Sequence, residues 1–360
     1  MEINKLTKDK YDEWDDFCLK SDSAWFWHTI AWREYILNFL PEREAKDFSF
    51  FLGEKGDIKA IVPLICEINE FEGEKFLEFS YQNAAVPAPA LANNLSLEQR
   101  KLIEEAVFKE IDRLARENKI ARARFWISPL SPGFLKKYAA NNFLLNCRFE
   151  DISLNTLLID LRKSEANLKK ELRRNHRRNI LKGKEFKVSV YAKENIKDEI
   201  FCEYKKMHHK AAGRKTRTDK TFELMLKWIK EGWAFLAVVE FNGKKIGFEY
   251  YSVYKNNVYG FSAANDPDFG HLPIRHTLEW EAILWMKKQG FSFYEIGLQQ
   301  YKPLPYDFPS KKQLNISHFK KGFGGFAVPL FIGEKYYEKN YQLKIRQWRK
   351  EKLANYKISN

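Results

Sequence analysis

Two stretches of alternating apolar and polar residues dominate the pattern, and each is split by a turn. In FSFFLGEKGDIKAIVPLI, Phe48 to Leu52 and Ile58 to Ile65 flank a turn at Gly53 to Asp57, which predicts a hairpin. In AFLAVVEF-NG-KKIGFEYYSVY the break is Asn242-Gly243, the strongest short-range hairpin signal a sequence carries. Each hairpin leads to a further strand, a long helix and a buried strand. The first series is Phe76 to Tyr81, a helix from Ser96 to about Asn118, and Arg122 to Ile127 (the run ARARFWI). The second is VYGFSAA after Asn257, a helix from His276 to Gln289, and FSFYEIG. The two series lie about 185 residues apart and read as two copies of one unit. Alternating helix and strand signals predict a mixed α/β fold.

The intervening chain follows the same logic. Asp12 to Leu19 and Thr29 to Leu40 read as short helices, and AAVPAPALA (84–92) as a proline-punctuated loop. Ser131 caps a helix running to about Ala140, with Pro132 at its first position. Past residue 150 come a strand at Thr156 to Asp160, a strongly basic helix at Lys163 to Lys182, and a strand at Lys187 to Tyr191. Helices at Ile196 to Ala211 and Lys220 to Lys230 follow.

Charge changes this picture. Among 360 residues, 62 Lys and Arg face 48 Asp and Glu, a net of +14, which points to anionic partners rather than to a fold. The excess lies in the second half: net +8 over 162–187, +6 over 205–220 and +6 over 335–357. Aromatic residues at 16% and apolar residues at 44% exclude global disorder. Neither a run of ~18 apolar residues nor the apolar core of a secretory signal occurs. Cys18, Cys66, Cys147 and Cys202 form no CxxC pair. The expectation is a cytoplasmic, reduced protein.

Familiar chemical signatures are missing: no GxxxxGK[ST], strand-linked GxGxxG, HExxH or GxSxG. No metal site is expected. His208 and His209 are neighbours that point about 100° apart on a helix, and His271 and His276 match no ligand motif. Three cationic segments remain. In RKSEANLKKELRRNHRRNILKGKEF, Arg173/Arg177 and Arg174/Arg178 recur at i, i+4. They offer guanidinium forks for phosphates or, alternatively, a solvated face. HHKAAGRKTRTDKTF is a loop by composition, with Arg214, Lys215 and Arg217 placed to meet an anion or to lie free. In ISHFKKGFGGFAVPL, Lys320 sits between Phe319 and the glycine-bracketed Phe323. An ammonium held there is able to steady a developing oxyanion or, alternatively, is a surface lysine before a glycine turn.

Four stretches resemble the FemA/FemB/FemX family of peptidoglycan-bridge aminoacyltransferases and its GNAT-like acyltransferase relatives. They are DEWDDFCLKSDSAWFWHTIAWREY, IDLRKSEANLKKELRRNHRRNILKG, MHHKAAGRKTRTDKTFELM and ISHFKKGFGG, spread over nearly the whole chain. The resemblance implies two tandem GNAT-like domains, 1–150 and 151–325, with the segment 326–360 returning to the first. It implies transfer of an aminoacyl group from charged tRNA, or of an acyl group from another activated donor, to an amine. Acceptors in the family are typically nucleotide- or lipid-diphosphate-linked cell-wall precursors. By motif position Lys320 is the catalytic lysine, Phe319 its packing partner, and Arg214 the diphosphate-binding arginine. The long helical arm of some members has no counterpart here, and GRKTRTDKTF departs from the usual wording after its arginine.

Amide formation requires a group to take the amine's proton and another to steady the oxygen. Lys320 fills the second role. Glu249, on the strand after the Asn-Gly turn, and Tyr259 or Ser262 on the next strand are candidates for proton handling or orientation, with a solvent-facing Glu249 as the alternative. Arg173, Arg177, Arg214 and Arg217, with Ser262, are the candidate substrate contacts. No resident cofactor is expected, the donor being charged tRNA or acyl-CoA. For CoA, the segment DFGHLPIRHTLEW offers one glycine where a pyrophosphate loop usually has several. Contact with a tRNA acceptor stem and peripheral contact with the inner membrane surface are further expectations. Two other readings stay open: an acyl-CoA-dependent N-acyltransferase on a sugar or amino acid, and a non-catalytic RNA- or anionic-lipid-binding protein.

Overall fold

Both hairpins form, the first around a tighter turn than expected, with its strands at Phe50–Glu54 and Asp57–Val62. In the computed structural model, which describes residues 1–81, 84–137 and 141–356, Asn242 and Gly243 adopt φ of 49° and 74°. These left-handed values suit a two-residue turn whose twist matches its strands. The chain divides into two units, one comprising residues 1–155, 300–314 and 328–360, the other 156–299 and 315–327.

The first unit has two sheets. One is ordered β1 (Glu2–Lys5), β3 (Phe50–Glu54), β4 (Asp57–Val62), β8 (Ala90–Leu91). The other runs β10 (Glu150–Asp151), β18 (Ile332–Tyr336), β9 (Arg122–Trp126), β6 (Glu74–Phe79), β5 (Ile65–Phe71), β2 (Lys46–Asp47), with β7 (Val86–Pro87) on β9. The Pro-punctuated stretch expected as a loop thus contributes β7 and β8, both buried, so its alanines pack rather than merely connect. Helices α1 (Tyr11–Lys20), α2 (Ile30–Leu37), α3 (Leu97–Glu117), α4 (Pro132–Lys137) and α11 (Lys339–Ala354) complete the unit. Ser96 caps α3 reciprocally with Gln99, and α3 carries the chain from β6 to its parallel neighbour β9. The expected end of α4 at Ala140 lies outside the described residues. The C-terminal segment is fastened by buried charge: Tyr341 donates to Glu78 at 2.5 Å, and Arg349 pairs with Glu334. Glu78 also receives Arg122 and Arg124.

The second unit is one sheet ordered β12 (Lys187–Tyr191), β13 (Ala234–Phe241), β14 (Lys244–Tyr254), β15 (Asn257–Asn265), β16 (Phe293–Gln299), β11 (Leu154–Asp160), β17 (Phe326–Leu330). Helix α9 (Ile274–Lys288) links β15 to its parallel partner β16. Those two strands pair only at Asn257–Phe293, Val258–Tyr294 and Tyr259–Glu295, although both continue beyond. The core includes Leu157, Ile159, Phe235, Tyr251, Leu278, Ile283 and Phe323.

Two expectations need correction. The basic stretch is two helices, α5 (Glu165–Glu171) and α6 (Arg174–Lys182), not one. At the break Leu172 joins Leu168 in the core, while the Arg173 amide donates to the Gly322 carbonyl at 2.9 Å, so residue 173 leaves helical geometry. Arg173 and Arg177 therefore do not share a helix face. The composition-based loop is also shorter than expected: α7 (Asp198–Ala212) takes in both histidines, and α8 (Asp219–Glu231) begins at Asp219, leaving only 213–218 irregular.

Candidate active site

Lys320 lies near the end of α10 (Lys311–Lys321), just before the turn Gly322–Gly325 into β17. That turn is fixed from three sides. Phe323 enters the core, Phe319 packs against it with ring centroids 5.2 Å apart, and the Gly325 amide donates to Glu171 Oε2 at 3.2 Å. His176 on α6 donates from Nε2 to the Phe319 carbonyl at 2.9 Å, and Arg173 donates to the His318 carbonyl at 3.2 Å. A cation on the last carbonyls of a helix is favourable.

So anchored, the Lys320 side chain runs inward. Its ammonium lies against Gly297 on β16, two residues beyond the last β15–β16 pair: a Cβ at that glycine would stand 2.6 Å from Nζ. No hydrogen bond or ion pair holds Nζ among the described residues. Burial pushes its pKa below the usual lysine value, and the charges of Glu249, Glu279 and Glu295 restore part of the loss. A compact, half-buried cation with its donors uncommitted is suited to a charge that appears during a reaction.

Glu249 and Glu279 belong to a closed network. Arg275 on α9 meets Glu249 at 2.6 Å and Glu279 at 3.2 Å; Tyr251 donates to Glu249 at 2.8 Å and Tyr294 to Glu279 at 2.5 Å. Burial disfavours both ionised carboxylates. Arg275 nonetheless holds Glu249 ionised, below the usual range, whereas burial and the Glu249 charge raise Glu279 well above it. One negative charge and one proton thus face one guanidinium. Glu249 is 5% exposed, so the solvent-facing alternative is wrong, and its Oε2 is already engaged by Arg275 and Tyr251.

Glu295 differs. Thr156 on β11 donates to Oε1 at 2.7 Å, while Oε2 is buried without a partner. Burial pushes this carboxyl up to about 7, against the Thr156 bond and the Lys320 charge. Tyr259 is its registered neighbour on β15, and burial, then the Glu295 charge, raises the phenol pKa.

The other predicted residues stand elsewhere. Arg217 is folded into the unit: it donates to His208 Nε2 at 2.9 Å and Ser262 Oγ at 3.1 Å and lies 5.3 Å from the Phe222 ring. Burial, with Arg217 beside it, lowers His208 to about 4. His276, likewise about 4 through burial, sits beside His176, 4.7 Å between ring centroids. Arg177 is exposed and donates to the Lys170 carbonyl at 3.4 Å. Arg214 is exposed after the helix-ending Gly213 and shares no hydrogen bond, ion pair or ring contact with the Lys320 group. The first unit holds a groove of about 1220 Å³ that includes Arg100, Glu104, Asp112 and Lys335; none of the predicted residues lines it.

Sequence reasoning missed Thr156, Arg275, Glu279, Tyr294 and Glu295. A signal existed for three of them: Glu295 is a charged residue inside a run read as a buried strand, and Arg275/Glu279 are opposite charges at i, i+4.

A family model described as an acetyltransferase (GNAT) domain matches residues 166–306, the span holding β12 to β16 and α9. Over that span the chain is similar to GNAT acetyltransferase domains, which supports a transferase enzyme, and the fold agrees. More particularly, its fold is similar to that of FemX: the crystal structure of FemX aligns at TM-score 0.62 and 13% identity, covering 95% of this chain and 99% of that one. The C-terminal domain of a putative lysylphosphatidylglycerol synthetase from Agrobacterium fabrum aligns at 0.52 and 13%, covering 96% of each. The L-PGS structure from Bacillus licheniformis aligns at 0.53 and 12%, covering 96% and 97%. No curated protein matches the sequence. No helix among the described residues is long and apolar enough to cross a membrane.

Proposed function

We propose that the protein forms amide bonds by passing an aminoacyl group from charged tRNA to an amine on a phosphate-linked envelope precursor, with Lys320 as the oxyanion-stabilising residue. The observation that carries this reading is the half-buried Lys320 side chain, its ammonium set against Gly297 where β15 and β16 cease to pair, with no bonded partner among the described residues. A surface-binding protein has no use for such a charge, because drawing an unpaired cation even partly out of water costs free energy. Nucleophilic attack of the amine on the ester carbonyl moves the π pair onto oxygen. Lys320 meets that oxygen, and expulsion of the tRNA hydroxyl completes transfer. Phe319 fixes the lysine's helix against the core. The exposed Arg177 and Arg214 supply contacts for the phosphates of donor or acceptor.

An acyl-CoA donor is the second reading, and the GNAT-domain match favours it. Against it, α9 begins after Pro273 with no side-chain cap, in a segment carrying Gly270 alone. FemX and lysylphosphatidylglycerol synthetase folds favour the aminoacyl reading. The test is incubation with charged tRNA and, separately, acetyl-CoA, each with a nucleotide-linked cell-wall precursor bearing a free amine, read by mass spectrometry. The expected product is the precursor plus one aminoacyl residue from the tRNA arm. A mass gain only from acetyl-CoA selects the second reading, and none from either overturns both.

A further inference from the structure

Lys320 faces three buried carboxyls, and two of them are spent. Glu249 and Glu279 share Arg275, Tyr251 and Tyr294 between them. Glu295 is 2% exposed and keeps one oxygen uncommitted. It stands two residues before Gly297 on β16, the glycine the Lys320 ammonium lies against, and its charge and that of Lys320 act on each other. No ion pair joins the carboxyl to the ammonium. An unpartnered buried carboxyl oxygen costs free energy, which places it among features that a reaction, rather than stability, explains.

These two groups are complementary to one species. The tetrahedral intermediate of amide formation carries an oxyanion, which an ammonium donates to, and an amine nitrogen, whose N–H a carboxylate accepts. We propose that Glu295 takes the acceptor amine's proton, Oε2 receiving it while Thr156 holds Oε1. The assignment rests on the acyl-transfer reading above. As the C–N bond forms, the carbonyl π pair moves to oxygen and meets the Lys320 ammonium, and the nitrogen's proton passes to Glu295. Collapse re-forms the carbonyl and breaks the bond to the leaving oxygen. Glu295 then returns the proton to that oxygen, restoring its carboxylate.

The groups facing Glu295 are Thr156 from β11, Tyr259 from β15 and Lys320 from α10; Arg275, Glu249 and Glu279 face Lys320 in turn. With the carboxyl pushed up to about 7, the acceptor form accumulates near neutral pH.

The experiment measures kcat/KM against pH in the transfer assay just described for the full chain, E295Q and T156V, with near-UV circular dichroism confirming the fold. The wild type should rise with pH through a limb near 7. E295Q should lose that limb and fall about 10²- to 10⁴-fold, the usual contribution of a positioned base. In T156V the lost hydrogen bond disfavours the ionised carboxyl, so the limb moves to higher pH. An E295Q enzyme that keeps both the limb and a rate within threefold of wild type overturns the assignment and leaves Lys320 untouched. Absence of transfer by the wild type from either donor overturns the underlying reading and this assignment with it.

Discussion

Replacing Gly297 by alanine puts one methyl group where the ammonium of Lys320 lies. The new Cβ would stand 2.6 Å from Nζ, and ordinary contact begins near 3.4 Å, so the ammonium must retreat by about 1 Å. A displacement of that size at a reacting centre is worth about 10²-fold in rate. The substitution also strains the backbone, since φ at 297 is 108°, at a cost of roughly 1–3 kcal/mol. Strain and displacement are separable. Gly290 has φ of 81° and open space around its Cβ position, so Gly290→Ala carries strain alone. The expected result is that both variants lose a few degrees of Tm while only Gly297→Ala loses about 10²-fold in kcat. In a Lys320→Met background, Gly297→Ala should cost almost nothing further, because the group it displaces is gone. A Gly297→Ala enzyme of normal kcat, or one whose loss adds fully to that of Lys320→Met, refutes the placement of the ammonium.

Three more outcomes follow from the geometry. Glu295 has a pKa raised from 4.5 to about 7, so its contribution to stability is present below pH 4.5 and is lost as pH rises through 7. Denaturant titrations should show Glu295→Gln flattening that decline, which amounts to up to about 3 kcal/mol. Tyr341→Phe deletes the hydroxyl that donates to the fully buried Glu78 and should cost about 1–3 kcal/mol in a urea titration. Arg214→Ala should raise KM for the anionic substrate and weaken its salt dependence at unchanged kcat; a change confined to kcat would place this arginine in the chemistry instead.

Much of the fold was legible because local signals and tertiary packing agree. The Asn242-Gly243 turn, the Ser96 cap and the strand runs fall where alternation, turn chemistry and capping put them. The basic stretch was misread because charge spacing alone extends a helix, whereas Leu172 and the Arg173–Gly322 backbone bond interrupt it. Lys320 could be singled out only through the resemblance carried by ISHFKKGFGG, since a lysine before a glycine turn, taken alone, reads as a surface residue. Its surroundings could not, because Thr156, Glu249, Arg275 and Glu295 come from four separate elements that only the sheet order brings together. Arg217 illustrates the converse: a cation that reads as a ligand contact is largely engaged by His208, Ser262 and Phe222.

The most direct measurement is the transfer rate of Lys320→Met beside that of the wild type, with Tm recorded for both. Deleting one donor to a developing oxyanion costs about 10²- to 10³-fold. Methionine fills similar volume without a half-buried unpaired charge, so the melting temperature should hold or rise. An inactive variant at least as stable as its parent is the predicted result. A variant that transfers at the parental rate, whatever its Tm, contradicts the account.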